Sequence, residues 1–243
     1  MTTYLFVHGA WHGGWCWHKI AANLRRASHR VLAPDLRSLG VDRTPPADIT
    51  LATWTQQIGT LVASEADPVV LVGHSRGGIV LSEVAEMIPD RVELLVYVTA
   101  FLLESGRSLQ QAAAQDPESL VGPGTVIAAD GRSVTMREDT VREAFYGRCS
   151  DDDAALGASL LVPEPVAPLG TPLHLTDARF GRVPRAYIEC SSDRAITHAA
   201  QRRMQQALPC AERITLDADH SPFFSRAAEL TAALLRLAPE PRG

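Results

Sequence analysis

A serine flanked by glycines is the clearest sign of chemistry in this 243-residue chain. Residues 73–77 have the sequence Gly-His-Ser-Arg-Gly and match the pattern G-x-S-x-G, with Ser75 at the centre. Residues 69–72 are apolar and mostly β-branched, which predicts a buried strand, and residues 79–88 have helical apolar spacing. A sharp strand-to-helix turn leaves room only for glycines and exposes the serine oxygen above a sheet. This context favours a nucleophilic Ser75 over a chance match in a loop.

A serine hydroxyl is a weak nucleophile at neutral pH, so it needs a neighbouring base and a third group that orients the base. Where a serine occupies such a turn, the chain order is serine, carboxylate, histidine. Asp193 follows a predicted strand at 184–189, and His220 follows the last predicted strand at 212–216. Both positions belong to the carboxyl edge of a parallel sheet, where ligands bind. We therefore predict His220 as the base and Asp193 as the orienting acid.

Four nearby titratable residues fit structural roles better. His198 falls on a predicted helix, where a solvated histidine is expected. His74 occupies the second position of the serine turn, and its side chain is expected to point away from the serine oxygen. Asp219 directly precedes His220 and cannot easily turn back onto its ring, while Asp217 is expected to cap the loop.

The negative charge that develops during acyl transfer requires backbone N–H donors, and removal of one costs about 10²–10³-fold in rate. One donor is expected to be the N–H of Arg76, the residue after the serine. The second should come from the loop after the first strand, most plausibly from the N–H of Ala10. Gly9 would let the backbone approach the substrate there, although a tight turn alone also explains a glycine. His8 is interpreted as a hydrogen-bonded structural residue.

Strands and helices alternate along most of the chain, which predicts an α/β fold with a mostly parallel sheet covered by helices on both faces. Residues 101–182 break the alternation, and we interpret them as a cap inserted into a core of residues 1–100 and 183–243. The predicted core strands are 3–7, 30–34, 69–72, 92–98, 184–189 and 212–216. The predicted core helices are 16–28, 50–66 with Thr50 as N-cap, 79–88, 198–208 and 225–237. The predicted cap elements are a hairpin over 125–136 and helices at 140–146 and 152–161.

Composition argues against several other classes of protein. The formal net charge of -5, without a basic patch, argues against nucleic-acid binding. There is no leader pattern and no stretch of about 20 apolar residues, so we expect a cytoplasmic protein with no membrane partner. The cysteines are widely separated, so they are interpreted as buried apolar residues rather than disulfides or metal ligands. They are Cys16, Cys149, Cys190 and Cys210. We expect no metal and no cofactor.

Several motifs together resemble one known family, the α/β-hydrolases of the plant methyl esterase and hydroxynitrile lyase group, with related bacterial carboxylesterases. The matching segments are residues 8–15, 34–36, 73–78 and 219–220. The resemblance covers nearly the whole chain and is weakest in the cap. It implies an α/β-hydrolase fold and the same site residues as the spacing. These are Ser75, Asp193 and His220 as the catalytic triad, and Ala10 and Arg76 as the oxyanion donors.

Two positions distinguish esterases from lyases within this group. The resemblance implies a threonine in the lyases where this chain has Gly9, and a lysine where it has Ser221. That lysine stabilises departing cyanide, which a serine cannot do, so an esterase is favoured. Arg76 stands where relatives commonly have an apolar residue. Its guanidinium would pair with a carboxylate or contact an anionic substrate group, and we favour the pairing.

We therefore predict a serine carboxylesterase that hydrolyses a small-alcohol, methyl-type ester of a hydrophobic small molecule through an acyl-enzyme. A monomer or homodimer is expected, with the ester as its only partner. Two alternatives stay open: a lyase or cyclase that uses the same triad on a non-ester substrate, and a non-catalytic small-molecule receptor on a hydrolase fold. The expected pocket residues are Gly9, Trp11, Phe101, Leu102, Phe145, Ser221 and Phe223.

Overall fold

A computed structural model describes residues 1–238, and the strands in this range form two sheets. In chain order they are β1 (Thr3–Val7), β2 (Arg30–Leu32), β3 (Val69–His74), β4 (Val92–Val98), β5 (Thr125–Ile127), β6 (Ser133–Met136), β7 (Glu164–Pro165), β8 (Arg185–Cys190) and β9 (Glu212–Leu216). Six strands pair in the order β2-β1-β3-β4-β8-β9, and every pairing in this sheet is parallel. Strands β5, β6 and β7 form a small antiparallel sheet. The predicted mostly parallel α/β sheet is confirmed.

Helices surround the large sheet. Within the described residues the α-helices are α1 (His18–Arg26), α2 (Leu51–Ser64), α3 (Gly77–Met87), α4 (Leu109–Ala113), α5 (Val121–Gly124), α6 (Glu138–Phe145), α7 (Asp151–Ser159), α8 (Ala167–Gly170), α9 (His198–Ala207), α10 (Pro222–Ser225) and α11 (Ala227–Leu237). Short 3₁₀ turns are formed by Gly14–Trp17, Pro46–Asp48, Pro89–Arg91 and Phe180–Arg182. In residues 1–238 no helix has the length and apolar character to cross a bilayer.

The large sheet has one hydrophobic layer on each face because successive side chains of a strand point to opposite sides. Phe6 and Val72 are fully buried in the layer that α1 and α11 cover. Leu5 and Leu71 are fully buried in the opposite layer, beneath α2 and α3. Parallel strands buried on both faces are nearly continuous apolar runs, as residues 69–72 are. The predicted covering of both faces by helices is confirmed.

The chain between β4 and β8 contains the small sheet and helices α4 to α8. The predicted hairpin forms as β5 and β6, and the unpredicted strand β7 joins it and carries the fully buried Glu164. Lys19 on α1 reaches Asp153 on α7 over 2.7 Å, which ties this region to the large sheet's helices. We propose that residues 101–182 act as a cap on a core formed by residues 1–100 and 183–238; residues 239–243 of the predicted core lie outside the described residues.

Several element boundaries differ from the sequence prediction for local reasons. Strand β2 ends at Leu32, before Pro34, which has no N–H to donate to a ladder. The predicted last helix at 225–237 forms as α11 from Ala227, and the unpredicted α10 precedes it; Arg226, whose φ of -140° is not helical, separates the two. The hydroxyl of Thr50 accepts a hydrogen bond from the N–H of Thr53 over 3.1 Å, which confirms the predicted N-cap of α2.

Close packing of α3 against the chain after β4 predicts that a larger residue at position 78 destabilises the protein. A Cβ at Gly78 would lie 2.3 Å from the carbonyl oxygen of Phe101, a backbone atom that cannot rotate away. We expect Gly78→Ala to lower the free energy of unfolding by about 1–3 kcal/mol, as overpacking does. Urea unfolding followed by circular dichroism measures this, with Gly122→Ala as the matched control, because nothing lies within 4 Å of a Cβ there. Equal stability of the two variants would contradict the packing described.

Candidate active site

The turn between β3 and α3 holds Ser75 in a left-handed conformation with a φ of 52°. Strand β3 ends at His74 and α3 begins at Gly77, so Ser75 lies at the junction. A Cβ at Gly77 would lie 2.7 Å from the carbonyl oxygen of Val7, so a glycine is required there. A left-handed backbone strains an ordinary residue, and such strain concentrates at functional sites. The turn therefore has the geometry expected for G-x-S-x-G.

The loops after β8 and β9 bring the carboxylate of Asp193 to the ring of His220. The Nδ1 atom of His220 lies 2.7 Å from Oδ2 of Asp193, and both residues are buried. Because a carboxylate only accepts, Nδ1 carries the proton in this bond and Nε2 of the neutral ring is left as an acceptor. His220 and Ser75 line the same cavity. Asp193 and His220 are thus in direct contact, and His220 shares a cavity with Ser75.

Three further donors fix the carboxylate of Asp193. The N–H groups of Ala195 and Ile196 donate to Oδ1 over 2.6 and 2.9 Å. The hydroxyl of Thr99 donates to Oδ2, the oxygen that also faces His220. Sequence analysis missed Thr99. Its place directly after β4, whose neighbour in the sheet is β8, is the signal that could have identified it.

Two aromatic residues hold the ring of His220. The Nε2 atom of His74 donates to the backbone oxygen of His220 over 2.7 Å, and the two ring centroids are 4.5 Å apart. The Phe145 ring packs against His220 with a centroid distance of 5.6 Å. Burial lowers the pKa of His74 well below its ordinary value, so this histidine is neutral and has a single N–H. That N–H faces the backbone of His220, as expected for a side chain that does not serve Ser75.

Hydrogen bonds fix the orientation of the peptide groups in the loop of residues 8–12, which follows β1. The carbonyl oxygen of Gly9 accepts from Nδ1 of His8 and from Nη2 of Arg76, each over 2.9 Å. In a trans peptide the following N–H points away from the carbonyl, so the N–H of Ala10 is directed away from both donors. Within residues 1–238 neither this N–H nor that of Arg76 donates to another group. Ala10 and Arg76 also line the cavity with Ser75.

The side chain of Arg76 is paired with a carboxylate. It is 1% exposed, and its Nε atom donates to Oε1 of the fully buried Glu164 over 2.9 Å. The guanidinium also lies 4.3 Å from the centroid of the Trp54 ring. Burial lowers the pKa of Arg76 and raises the pKa of Glu164, and the contact between the two groups opposes both shifts. The geometry supports the structural pairing over contact with an anionic substrate.

His8 and His12 are buried and neutral. The Nε2 atom of His8 accepts from the N–H of Leu36 over 3.0 Å, which fixes the tautomer that donates from Nδ1. His12 donates from Nδ1 to the carbonyl oxygen of Ala10 over 2.7 Å and accepts at Nε2 from the hydroxyl of Tyr146 over 2.8 Å. Burial lowers the pKa of His12 to about 3 and that of His8 well below its ordinary value. Both rings therefore serve as fixed hydrogen-bond groups.

A cavity of about 1020 Å³ lies against Ser75 and His220. Its wall near the serine comes from the loop of residues 8–12 after β1, the segment that follows β4 and helix α6, and most of it is apolar. Four predicted pocket residues line it: Trp11, Phe101, Leu102 and Phe145. A cavity of this size accommodates a drug-sized ligand.

Three other predicted pocket residues do not line the cavity, which corrects the sequence prediction. Gly9 lies against His74, where a Cβ would be 2.6 Å from Nδ1. Ser221 is fully buried, and its N–H donates to Oδ1 of Asp219 over 3.2 Å. Phe223 is fully buried with its ring centroid 5.1 Å from that of His74. All three belong to the packed layer beneath the site.

The residues that compete with the triad in the sequence have other partners. His198 is not freely solvated: its Nε2 atom lies 3.1 Å from Oε1 of the buried Glu189. Asp219 accepts from the backbone N–H of Arg148 over 2.8 Å, and Asp217 pairs with the guanidinium of the same arginine over 2.8 Å. The two aspartates thus connect the loop before His220 to the cap rather than to the histidine ring.

Histidine, cysteine, aspartate and glutamate are the side chains that commonly bind metal ions in proteins. Residues 1–238 contain no group of three or more that could hold a metal ion. The four cysteines are free thiols, and three of them are buried.

Comparison with known proteins agrees with this fold. The model of the alpha/beta hydrolase family matches residues 4–234. Methylesterase 2 of Arabidopsis thaliana is 33% identical over 97% of this chain and 95% of its own length. Salicylic acid-binding protein 2 of Nicotiana tabacum is 31% identical over 97% of this chain and 96% of its own.

Solved structures give the same result. The crystal structure of a pyrethroid hydrolase superposes with a TM-score of 0.87 at 27% identity, and the match covers 99% of this chain and 98% of that one. Family model, sequence relatives and structure each span nearly the whole chain. The chain belongs to the alpha/beta hydrolase family, in its plant methylesterase-like group.

Proposed function

We propose that the protein is a serine carboxylesterase in which Ser75, His220 and Asp193 form the catalytic triad. The observation that carries the proposal is the Asp193–His220 hydrogen bond of 2.7 Å beside a strained, cavity-lining serine. Two unpaired N–H groups, of Ala10 and Arg76, line the same cavity and supply the oxyanion hole. Nucleophile, base, orienting acid and oxyanion donors are the components that acyl transfer needs.

In the first half-reaction, Ser75 Oγ attacks the ester carbonyl carbon while Nε2 of His220 takes the hydroxyl proton. The carbonyl oxygen becomes an alkoxide that accepts hydrogen bonds from the N–H groups of Ala10 and Arg76. Asp193 stabilises the protonated ring and keeps its orientation. The alkoxide then collapses and the bond to the alcohol oxygen breaks. The alcohol leaves with the proton from His220, and the acyl group stays on Ser75.

In the second half-reaction, water replaces the alcohol. His220 removes a proton from the water, whose oxygen attacks the acyl carbon and forms a second alkoxide in the same oxyanion hole. Collapse breaks the bond to Ser75 Oγ, which recovers its proton from His220. The carboxylic acid leaves and the enzyme is regenerated, so one ester and one water give one acid and one alcohol.

The substrate that the cavity favours is an ester with an extended apolar part. The wall next to Ser75 is formed by Trp11, Phe101, Leu102 and Phe145, which favours apolar or aromatic groups. The similarity to methylesterases supports a small alcohol such as methanol as the leaving group. We therefore propose methyl-type esters of hydrophobic small acids, with no macromolecular partner.

Packing at Gly9 and Ser221 supports hydrolysis over cyanide release. A Cβ at Gly9 would lie 2.6 Å from Nδ1 of His74 and 3.0 Å from Cβ of Ser75, so a threonine does not fit there. Ser221 is fully buried and carries no charge that could stabilise a departing anion. Neither feature of the lyases is therefore available in this site.

The proposed nucleophile can be tested by covalent labelling. We expect treatment with an organophosphonate fluoride to add one phosphonyl group to the intact protein, and Ser75→Ala to abolish both the adduct and the hydrolysis of methyl and nitrophenyl esters. Intact-mass spectrometry and ester turnover measure the two effects. Ser159→Ala is the matched control, because its exposed hydroxyl only bonds the carbonyl of Leu156. An adduct that persists in Ser75→Ala would refute the assignment.

The hydroxyl of Thr99 provides a second test, aimed at the orienting acid. Thr99→Val keeps the side-chain shape but removes a donor to Asp193 Oδ2, so the carboxylate is held less firmly toward His220. We expect kcat/KM to fall about tenfold, equal to about 1.4 kcal/mol. Thr99→Ser keeps the hydroxyl and should stay within about threefold of the parent. Equal losses in both variants would show that the hydroxyl is not the relevant group.

A further inference from the structure

Arg76 and Glu164 form an ion pair that is shut away from solvent. Their side chains are 1% and 0% exposed, and Nε and Oε1 are 2.9 Å apart. Removal of two charges from water is costly, and a well-packed apolar pair is often as stable or more stable. Stability alone therefore does not account for the pair. The further contacts of the two side chains account for the buried pair better.

Glu164 is approached by donors on both of its oxygens. Oε1 accepts from Nε of Arg76, and Oε2 accepts from the backbone N–H of Trp11, each over 2.9 Å. A carboxylate accepts at both oxygens, whereas a glutamine offers one oxygen and one NH₂ group. The two donors therefore require a carboxylate at this position. Through it, cap strand β7 holds the peptide group between Ala10 and Trp11.

Arg76 acts on the preceding peptide group. Its Nη2 atom donates to the carbonyl oxygen of Gly9 over 2.9 Å, so the planar guanidinium contacts the loop and Glu164 at the same time. On the other side of Ala10, His12 donates to the carbonyl oxygen of Ala10 over 2.7 Å. The peptide groups before and after Ala10 are thus both fixed by buried side chains.

Trp11 shows that this fixation opposes a backbone preference. Its φ of 62° is left-handed, which strains a tryptophan unless neighbouring groups enforce it. The cap supplies those groups, since Trp11 donates from its indole to the carbonyl of Val134 over 2.9 Å and accepts at its carbonyl from the N–H of Val162 over 3.0 Å. The bond to Glu164 adds a third attachment. The cap therefore holds the loop of residues 8–12 in a strained conformation that its own backbone preferences would not favour.

We propose that Arg76 and Glu164 are positioning residues that aim the N–H of Ala10 into the oxyanion hole. Arg76 thereby has two separate functions: its backbone N–H is one donor of the hole, and its side chain orients the other. The hole is completed only when the cap carboxylate is in place. This inference rests on the proposed esterase function.

The variants that test the proposal separate positioning from folding. Arg76→Met and Glu164→Leu each leave an unpaired buried charge, whereas the double variant replaces the pair by apolar groups. We expect thermal unfolding to show lower midpoints for the single variants and a recovered midpoint for the double variant. Arg76→Lys keeps the charge but cannot contact Gly9 and Glu164 with one planar group. Lys19→Met is the matched control, because it breaks a different core–cap ion pair.

Kinetics should separate the double variant from the control. We expect kcat on a nitrophenyl ester to fall about 10–100-fold in the double variant with KM within about threefold, because a misplaced oxyanion donor affects the transition state more than substrate binding. Arg76→Lys should fall between the double variant and the parent. Lys19→Met should keep the parental kcat.

Inhibitor affinity reports on the oxyanion hole directly. Ser75 Oγ adds to the carbonyl carbon of an aryl trifluoromethyl ketone, its proton passes to His220, and the ketone oxygen becomes an alkoxide in the hole. The matching aryl methyl ketone binds largely without this addition. We expect the trifluoromethyl ketone to lose affinity in the double variant in proportion to kcat, while the methyl ketone is unaffected.

Different results would contradict the positioning role of Arg76 and Glu164 and the proposed esterase function. A folded double variant with parental kcat, or with reduced kcat but unchanged trifluoromethyl ketone affinity, overturns the positioning role. A comparable loss of kcat in Lys19→Met assigns the effect to cap attachment in general and also overturns it. A parent enzyme that neither hydrolyses esters nor binds the trifluoromethyl ketone overturns the proposed function itself.

Discussion

The strained turn at Ser75 is the constraint on which the rest of the structure depends. Its backbone is bonded on both sides: the N–H of Ser75 donates to the carbonyl of Val98, and its carbonyl accepts from the N–H of Phe101. The turn therefore joins the end of β4 and the first residue of the proposed cap. Gly77 lets α3 lie close to the carbonyl oxygen of Val7, directly before the loop of residues 8–12. One turn thus sets Ser75, the proposed nucleophile, against the sheet, the proposed cap and the loop of residues 8–12.

The buried histidines around this turn have hydrogen-bond partners that fix the orientation of each ring. His8, His12 and His74 are neutral because burial lowers their pKa, and each donates its one N–H to a backbone carbonyl. Only His220 among the buried histidines of residues 1–238 has a carboxylate on its ring. In a buried site, paired polar groups cost less free energy than unpaired ones. The pairing also fixes the geometry before substrate binds. In the proposed mechanism, proton transfer is thereby confined to the ring of His220.

Features that depend on neighbouring residues could be predicted from the sequence, whereas features that depend on contacts between distant segments could not. Strand periodicity and the G-x-S-x-G turn are local patterns, and chain order added the neighbours Asp193 and His220. Thr99 and Glu164 were missed because each acts through a contact with a distant segment. Thr99 is marked only by its place directly after β4, the neighbour of β8, and nothing in the adjacent residues marks Glu164. The pocket was predicted only in part, since aromatic residues such as Phe223 fill a core and line a cavity with the same local pattern.

Rapid quenching during turnover of a nitrophenyl ester, followed by peptide mass spectrometry, tests the central claim most directly. The account predicts a burst of about one equivalent of nitrophenol per protein when deacylation is slow, with the acyl group on the peptide that contains Ser75. Steady hydrolysis without a burst, and without acyl modification of that peptide under conditions that trap slow deacylation, would contradict it. An acyl group found only on another residue would do so equally.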